Sequence, residues 1–428
     1  MSGARTAALL AVAVLAAWAA SLGAAFQFDD YNVIVNAPAV QSWEALAPEL
    51  ARGLRPVLKT TYAFDWALGG GTPFTFHLTS VLLHVLNACL LYFVGRCLAA
   101  RWGRGGEGAA LAAALLFALH PVQTEAVTYI SGRSVALSAS FYLGALLAYL
   151  RGAPAWAGLA LFALACGSRE TALILPAALL LCDLAARDRI DWRRQRPYWA
   201  LAAFMAVLAL MHARYARFLE IGFAARSVGD NLLSQVQGVG YLVSRLFLPH
   251  RLNIDPALPA LSAWDTALAL QALALCLLLG LAVSLFRKLP WVAFGLAWFF
   301  LHLAPTNSFL PRLDVANERQ LYLAWWGLAF ALCLQLSRLP WRKPAAAIVL
   351  AALAVLCVAR QLDYRSEVAL WEAAAREAPW NARAHNNLGY ARWLAGDRDG
   401  AMQAYRQALA MDPAHAVARY NLERAWIR

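Results

Sequence analysis

An all-α, polytopic membrane fold that ends in a short run of helical repeats is the fold class this sequence predicts, and three observations carry it. Of its 428 residues, 61% are hydrophobic and only 14% charged, whereas soluble domains sit near half apolar and a quarter charged; the mean hydropathy is +0.53. Apolar runs recur from residue 7 to residue 361. Residues 362–428 instead turn polar, amphipathic and repetitive with a 34-residue period.

The apolar runs fall at about 7–25, 75–95, 108–120, 134–150, 153–167, 171–186, 197–213, 263–286, 289–304, 320–336 and 345–361, which predicts eleven spans. The first follows a short Arg-containing start in the manner of a signal peptide, but its length and the runs behind it favour an uncleaved span. The formal charge is +12, and much of that excess sits in short connections: "GRCLAARWGRGG", "RDRIDWRRQRP", "FRK" and "SRLPWRKP". Such a distribution orients a membrane protein and argues against nucleic-acid binding. With the N-terminus inside, these connections are cytoplasmic and eleven spans send the C-terminus outside. Residues 231–250 carry Gln235, Gln237 and Arg245 and read as a partly buried or interfacial amphipathic helix, not a span.

Four segments then meet on the outer face: 26–74, 120–133, 214–230 and 305–319. The first is too long for a mere connection and is expected to be partly helical, with a Gly-rich turn before Pro73, which opens the next helix. In the tail, a shift of 34 pairs Trp371 with Tyr405, Pro379 with Pro413, Ala384 with Ala418, Asn387 with Asn421 and Leu388 with Leu422. This is the tetratricopeptide period, and so short an array needs a neighbour to cover its apolar face. The division is a transmembrane domain, 1–361, and a repeat domain, 362–428. The seven cysteines lie in or beside apolar runs and form no CxxC pair, so neither a disulfide framework nor a thiolate zinc site is suggested.

Chemistry is concentrated in those outer segments. Asp29 and Asp30 follow the first span directly; they fit a helix cap or Asx turn, or a site in which one carboxylate takes a proton from an acceptor hydroxyl while the other orients it. Such a pair also suits a divalent metal, Mg or Mn. "HPVQTEAVTYISGR" brings His120, Glu125 and Arg133 into fourteen residues, either as charged tips of a helix pair or as part of a site. Arg169 and Glu170 in "CGSRETALILP" form an interfacial ion pair or join the site. Arg312, Asp314, Glu318 and Arg319 precede the next span, and Arg55 and Lys59 lie in the first loop; guanidinium groups at membrane depth suit a lipid phosphate. His77 and His84 read as hydrogen-bonded core histidines. No P-loop, Rossmann fingerprint, GxSxG elbow or HExxH occurs, so ATP, nicotinamide and metalloprotease chemistry lack support.

In their order, "FDDYNVIVNAP", "LRPVLKTTYAFDWALGGGTPFTFHLTSVLLHVLN", "LFALHPVQTEAVTYISGRSVALSA", "SRETALILP" and "NERQLYL", followed by the C-terminal repeats, resemble the transmembrane and tetratricopeptide-repeat O-mannosyltransferase family and its bacterial relatives, in the GT-C class of membrane glycosyltransferases. The resemblance implies a polytopic GT-C fold whose first outer loop carries the catalytic acids, here Asp29 and Asp30. It also implies a sugar donor on a polyprenyl phosphate and transfer to an acceptor hydroxyl outside the cytoplasm. Two features depart from the family: Ser134 and Val135 stand where an acidic residue often follows "SGR", and the repeat array is short.

On this reading Asp29 or Asp30 is the base, Asp30 slightly preferred. Glu125 and His120 position the acceptor or the paired aspartate. Arg55, Arg133 and Arg319 hold the donor phosphate, with Glu318 and Glu170 orienting them. No cofactor beyond a possible metal is called for, and the 231–250 helix forms part of a groove for the lipid tail. The repeats gather a protein or peptide acceptor by raising its local concentration. The expected location is a bacterial cytoplasmic membrane with the site facing the periplasm. Two alternatives come from other classes: a translocase of lipid-linked sugar, and a non-enzymatic scaffold whose repeats bind partners.

Overall fold

The computed structural model describes residues 3–104, 106–186, 189–337, 339 and 342–427; Gly105, Arg187, Asp188, Arg338, Pro340 and Trp341, which fall in three of the basic connections, lie outside the described residues. Among the described residues the chain is all-helical, without a strand. Helix α1 (Gly3–Ala17) runs into a 3₁₀ turn, and the long first loop folds as α2 (Pro38–Gln41), α3 (Trp43–Arg52) and α4 (Pro56–Gly69). Pro73 takes the first helical position of α5 (Pro73–Arg101), where its missing N–H costs nothing. Then follow α6 (Glu107–Leu119), the short α7 (Thr124–Val127), α8 (Arg133–Leu150), α9 (Ala155–Ser168), α10 (Leu175–Ala186), α11 (Trp192–Met211), α12 (Ala213–Ala225) and α13 (Val228–Phe247). The remainder is α14 (Thr266–Leu285), α15 (Pro290–Leu303), α16 (Leu321–Leu336), α17 (Arg342–Leu362) and four C-terminal helices, α18 (Glu367–Glu377), α19 (Ala382–Leu394), α20 (Arg398–Met411) and α21 (Ala416–Ile427).

All eleven apolar runs fold as helix, but fewer pass a strict test of length. Pro73–Arg101, Ile130–Leu150, Thr266–Leu285 and Lys343–Arg365 are long and apolar enough to cross a membrane. Two bent pairs, Glu107–Leu119 with Pro121–Val127 (56°) and Trp192–Met211 with Ala213–Ala225 (76°), raise the number to six, while Gly3–Ala17, Ala155–Ser168 and Pro290–Leu303 are apolar but short. The shortening has a local cause: α6 and α9 stop just before His120 and Arg169, where the chain turns to present polar groups. The chain thus has the helices of a multi-pass membrane protein.

The core lies among α1, α5, α6, α8, α10, α15 and α16. It closes by small-residue contacts, as expected where lipid supplies no hydrophobic drive between helices: a Cβ on Gly327 would come within 2.5 Å of Trp298, whose indole N–H donates to the Leu323 carbonyl at 2.8 Å. α13 behaves as the amphipathic helix expected of 231–250. It buries Asn231, Ser234, Gln235, Val239 and Leu242 and leaves Leu232 and Phe247 exposed.

At one end of the bundle the basic connections gather: Arg101 and Arg194 donate to the Leu150 and Tyr149 carbonyls. At the other end the four segments with the candidate residues meet. Tyr62 donates to the Ile130 carbonyl, Arg214 pairs with Glu49, Arg226 donates to the carbonyls of Arg312 and Leu313, and Arg319 pairs with Glu125. The C-terminal helices sit on that same end and are fastened to it. Arg383 forks onto Asp255 at 2.7 and 2.5 Å and reaches Asp314 at 3.0 Å; Asn381 donates to the Asp255 carbonyl and Asn253 to that of Ala374. Their 34-residue register is structural too, since Trp371 and Tyr405 are both buried, as are Ala384 and Ala418.

Arg383→Ala should loosen this seam, because Asp255 is left buried with its charge uncompensated, at a cost of about 1–3 kcal/mol. Hydrogen–deuterium exchange of α18 and α19 is the measurement; it should rise there while exchange in α5 and α8 stays unchanged.

Candidate active site

The two aspartates that follow the first span have different fates. Asp30 is completely buried. Its Oδ1 accepts from the Ser131 N–H (2.8 Å) and Oγ (2.5 Å), and its Oδ2 accepts from the Gln27 N–H (3.0 Å). Burial pushes its carboxyl up to about 7, against the pull of those hydrogen bonds and with help from the neighbouring Asp29 charge. Asp29 is only partly buried; its N–H donates to the Tyr129 hydroxyl at 3.3 Å, and among the described residues its carboxylate has no hydrogen-bond or ion-pair partner. Asp30 thus clamps two loops together, and the open lone pairs belong to Asp29.

The 120–133 segment is not a surface loop. Every residue from His120 to Ile130 is buried, in three short turns packed so tightly that a Cβ on Gly132 would lie 2.0 Å from the Glu125 carbonyl oxygen. Glu125 accepts the Arg319 main-chain N–H at 2.9 Å and pairs with its guanidinium at 3.4 Å. His120 accepts from the Val122 N–H and donates to the Leu246 carbonyl. Both ring nitrogens are occupied by main chain, so its expected role in positioning an acceptor is corrected to a structural cap.

Arg133 needs the same revision. Its guanidinium is fully buried, paired with Asp65 at 2.5 Å, donating to Ser80 and the Phe76 carbonyl, and lying over the Tyr62 ring at 4.8 Å. It has no water-facing donor for a phosphate. Glu318 does not orient a phosphate arginine either: it accepts from the Asn253 N–H (2.6 Å) and the Tyr241 hydroxyl (3.1 Å). Burial pushes it up to about 8, with Arg360 opposing and Glu125 reinforcing the shift. Lys59 is taken up by Glu49. His77 and His84 are buried and hydrogen-bonded to the Ala24 and Ala118 carbonyls, as expected.

What the fold assembles instead is a cluster of four arginines. Arg55 forks onto Glu170 at 3.0 and 2.7 Å; Arg169, Arg312 and Arg319 complete the group. Arg169 is 7% exposed and donates to the Ser134 hydroxyl at 2.8 Å. Burial and then the positive charges of Arg55, Arg319 and Arg312 hold its pKa well below the usual range, with only Glu170 opposing. Glu170 is held below its ordinary value: burial would raise it, but Arg55 and Arg169 prevail. Arg169 and Arg319 line a cleft with Thr171 and Thr306 that reaches down to Tyr142 and His302. The Tyr142 hydroxyl, the His302 Nε2 and the Arg319 Nε are buried there without partners. Tyr129 lies within electrostatic reach of Asp29 and Arg319 alike. The free carboxylate of Asp29 and one arginine of the cleft, Arg319, thus both act electrostatically on Tyr129.

Asp65, Ser131 and Tyr129 were not singled out in the sequence. Their only signal there is membership of the family-like stretches, because their partners lie far away along the chain. Both Asp30 oxygens already accept from N–H or O–H donors, and no group of three His, Cys, Asp or Glu side chains converges among the described residues.

Comparison with known proteins gives relatives over most of the chain. It is 26% identical over 487 aligned residues to mouse protein O-mannosyl-transferase TMTC4, covering 92% of this chain and 64% of the relative. Against the Drosophila melanogaster protein O-mannosyl-transferase Tmtc3 it is 26% identical, covering 88% of this chain and 50% of the relative. The human TMTC4 aligns at 26% over 89% of this chain and 63% of the relative. The chain therefore spans between half and two thirds of the length of these curated relatives. No family model matches it, and no solved structure does. The resemblance seen in the motifs is thus a homology that runs through nearly the whole chain.

Two measurements check the reassigned residues. Arg133→Ala leaves Asp65 buried and unpaired and should cost about 3–5 kcal/mol of stability, seen as a lowered unfolding temperature in detergent. For Asp30 the unfolded carboxyl ionises near 3.8 and the folded one near about 7. Between those values the folded state keeps a proton that the unfolded state has lost, so stability falls as pH rises through that window. Asp30→Asn should flatten that part of the stability–pH profile.

Proposed function

We propose that this chain is a GT-C-type membrane glycosyltransferase that moves a sugar from a polyprenyl-phosphate donor to a hydroxyl of a protein acceptor, at the periplasmic face of a bacterial cytoplasmic membrane. The observation that carries the reading is the pairing of an unpartnered carboxylate, Asp29, with the arginine cluster around the Arg169–Arg319 cleft at one end of an apolar helix bundle. Arg55 and Arg319 are engaged by Glu170 and Glu125, while Arg169 is buried with no carboxylate partner among the described residues, and a buried cation so placed favours an anionic ligand. The relatives' names point to mannose as the sugar and protein as the acceptor.

In this mechanism the acceptor hydroxyl gives its proton to Asp29 while its oxygen bonds to the anomeric carbon. The bond from that carbon to the phosphate oxygen breaks, and its electron pair leaves with the polyprenyl phosphate. Arg169 and Arg319 stabilise the charge that develops on the departing phosphate, Glu125 fixes Arg319, and Glu170 fixes Arg55. Asp30 carries no proton in the reaction; it ties the Asp29 turn to Ser131. The four terminal helices act as tetratricopeptide units on the acceptor side, a reading supported by their 34-residue register and by their seam with the end that holds Asp29.

The test is sugar transfer by purified protein from a panel of synthetic polyprenyl-phosphate sugars. Asp29→Asn should lower turnover by about 10²–10⁴-fold with an unchanged unfolding temperature. Arg169→Ala should also impair transfer, most strongly in the donor term. Equal inactivity of well-folded wild type and variants across the panel would sink the reading and favour a translocase or a scaffold.

A further inference from the structure

Phe28, the residue before Asp29, has φ +44, a left-handed conformation that a bulky aromatic residue rarely adopts and that persists only where its surroundings hold it. The surroundings that hold it come from the far end of the chain. The Phe28 N–H donates to the Glu367 carboxylate at 2.8 Å, and its ring packs edge-on against Trp371 at 5.3 Å and 81°. Trp371 is itself buried among Ala374, Leu388 and Ala404, so it is a rigid support. One residue earlier, the Gln27 carboxamide donates to the Tyr364 carbonyl at 2.7 Å. An acid in the first turn of a helix is ordinary, as Glu367 is in α18; an acid there that receives the main-chain N–H of a strained residue beside a free carboxylate is not.

We propose that Glu367 and Trp371 are positioning residues for Asp29, so that helix α18 sets the geometry of the base as well as supporting the acceptor-side helices. The inference rests on the role given to Asp29 above. When Phe28 is released, its backbone relaxes towards negative φ, and the Asp29 carboxylate, which no side chain holds, swings with it. The terminal helices are then part of the catalytic apparatus and not a loosely tethered receptor.

Glu367→Ala and Trp371→Ala in the full-length protein, with Glu367→Gln as the conservative variant, test this in the transfer assay. Expected is a ten- to hundredfold fall in kcat for Glu367→Ala, the scale set by a displacement of about an ångström at a reacting group, with donor KM and unfolding temperature unchanged. Glu367→Gln keeps an oxygen for the Phe28 N–H and should recover most of the rate; Glu372→Ala, on the same helix but paired with Arg392, should match wild type. Wild-type kcat in Glu367→Ala, a Gln variant as impaired as Ala, or a loss that merely follows a lowered unfolding temperature would overturn the proposal. Hydrogen–deuterium exchange over residues 27–31 reads the clamp independently of turnover: protection in wild type and Glu367→Gln with loss in Glu367→Ala upholds it even if no donor is used. Equal protection in all three refutes it even if transfer is robust.

Discussion

The arrangement depends first on the buried ion pair between Arg133 and Asp65. Two charges taken out of water are tolerable only when each is opposed and the remaining donors are used, and here Thr79 holds the other Asp65 oxygen while Ser80 and the Phe76 carbonyl take further guanidinium donors. The pair joins α4, α5 and the start of α8 at one point. From there the Tyr62 hydroxyl reaches the Ile130 carbonyl, and the next residue, Ser131, holds Asp30. The first loop is thereby pressed onto the 120–133 turns, and Asp29 has a fixed frame beside it.

The surroundings of Arg169 are built differently from that ion pair. Elsewhere at this end the buried charges find partners: Asp255 has Arg383 and Arg133 has Asp65. Around Arg169 the protein places like charges together and leaves polar atoms of Tyr142, His302 and Arg319 without partners. Such an arrangement costs stability in the free protein. The same economy separates the two aspartates: one has every oxygen engaged and supports structure, the other keeps its lone pairs.

The C-terminal helices extend this logic. Their docking through Arg383, Asn381 and Glu367 makes them continuous with the end that carries the cleft. Gly132, with the Glu125 carbonyl where a side chain would be, shows how little room the turns have to move. A site with so few adjustable parts has its geometry set by packing from several distant segments.

Sequence by itself determined the all-helical class, the apolar runs, the repeat register, the amphipathic 231–250 helix and which segments hold the candidate residues, because hydropathy, helical period and residue type are local properties. It also singled out Arg55, Glu170, Glu125 and Arg319, which the fold joins as the pairs Arg55–Glu170 and Glu125–Arg319. It did not separate Asp29 from Asp30, tell the sealed Arg133 from the cleft-facing Arg169, or reveal His120 as a main-chain cap. Those distinctions rest on burial and on partners well separated along the chain: Ser131 for Asp30, Asp65 for Arg133, Leu246 for His120, Glu367 for Phe28. Two adjacent carboxylates are chemically identical until the tertiary fold removes water from one and leaves it on the other, and that is what only the structure decided.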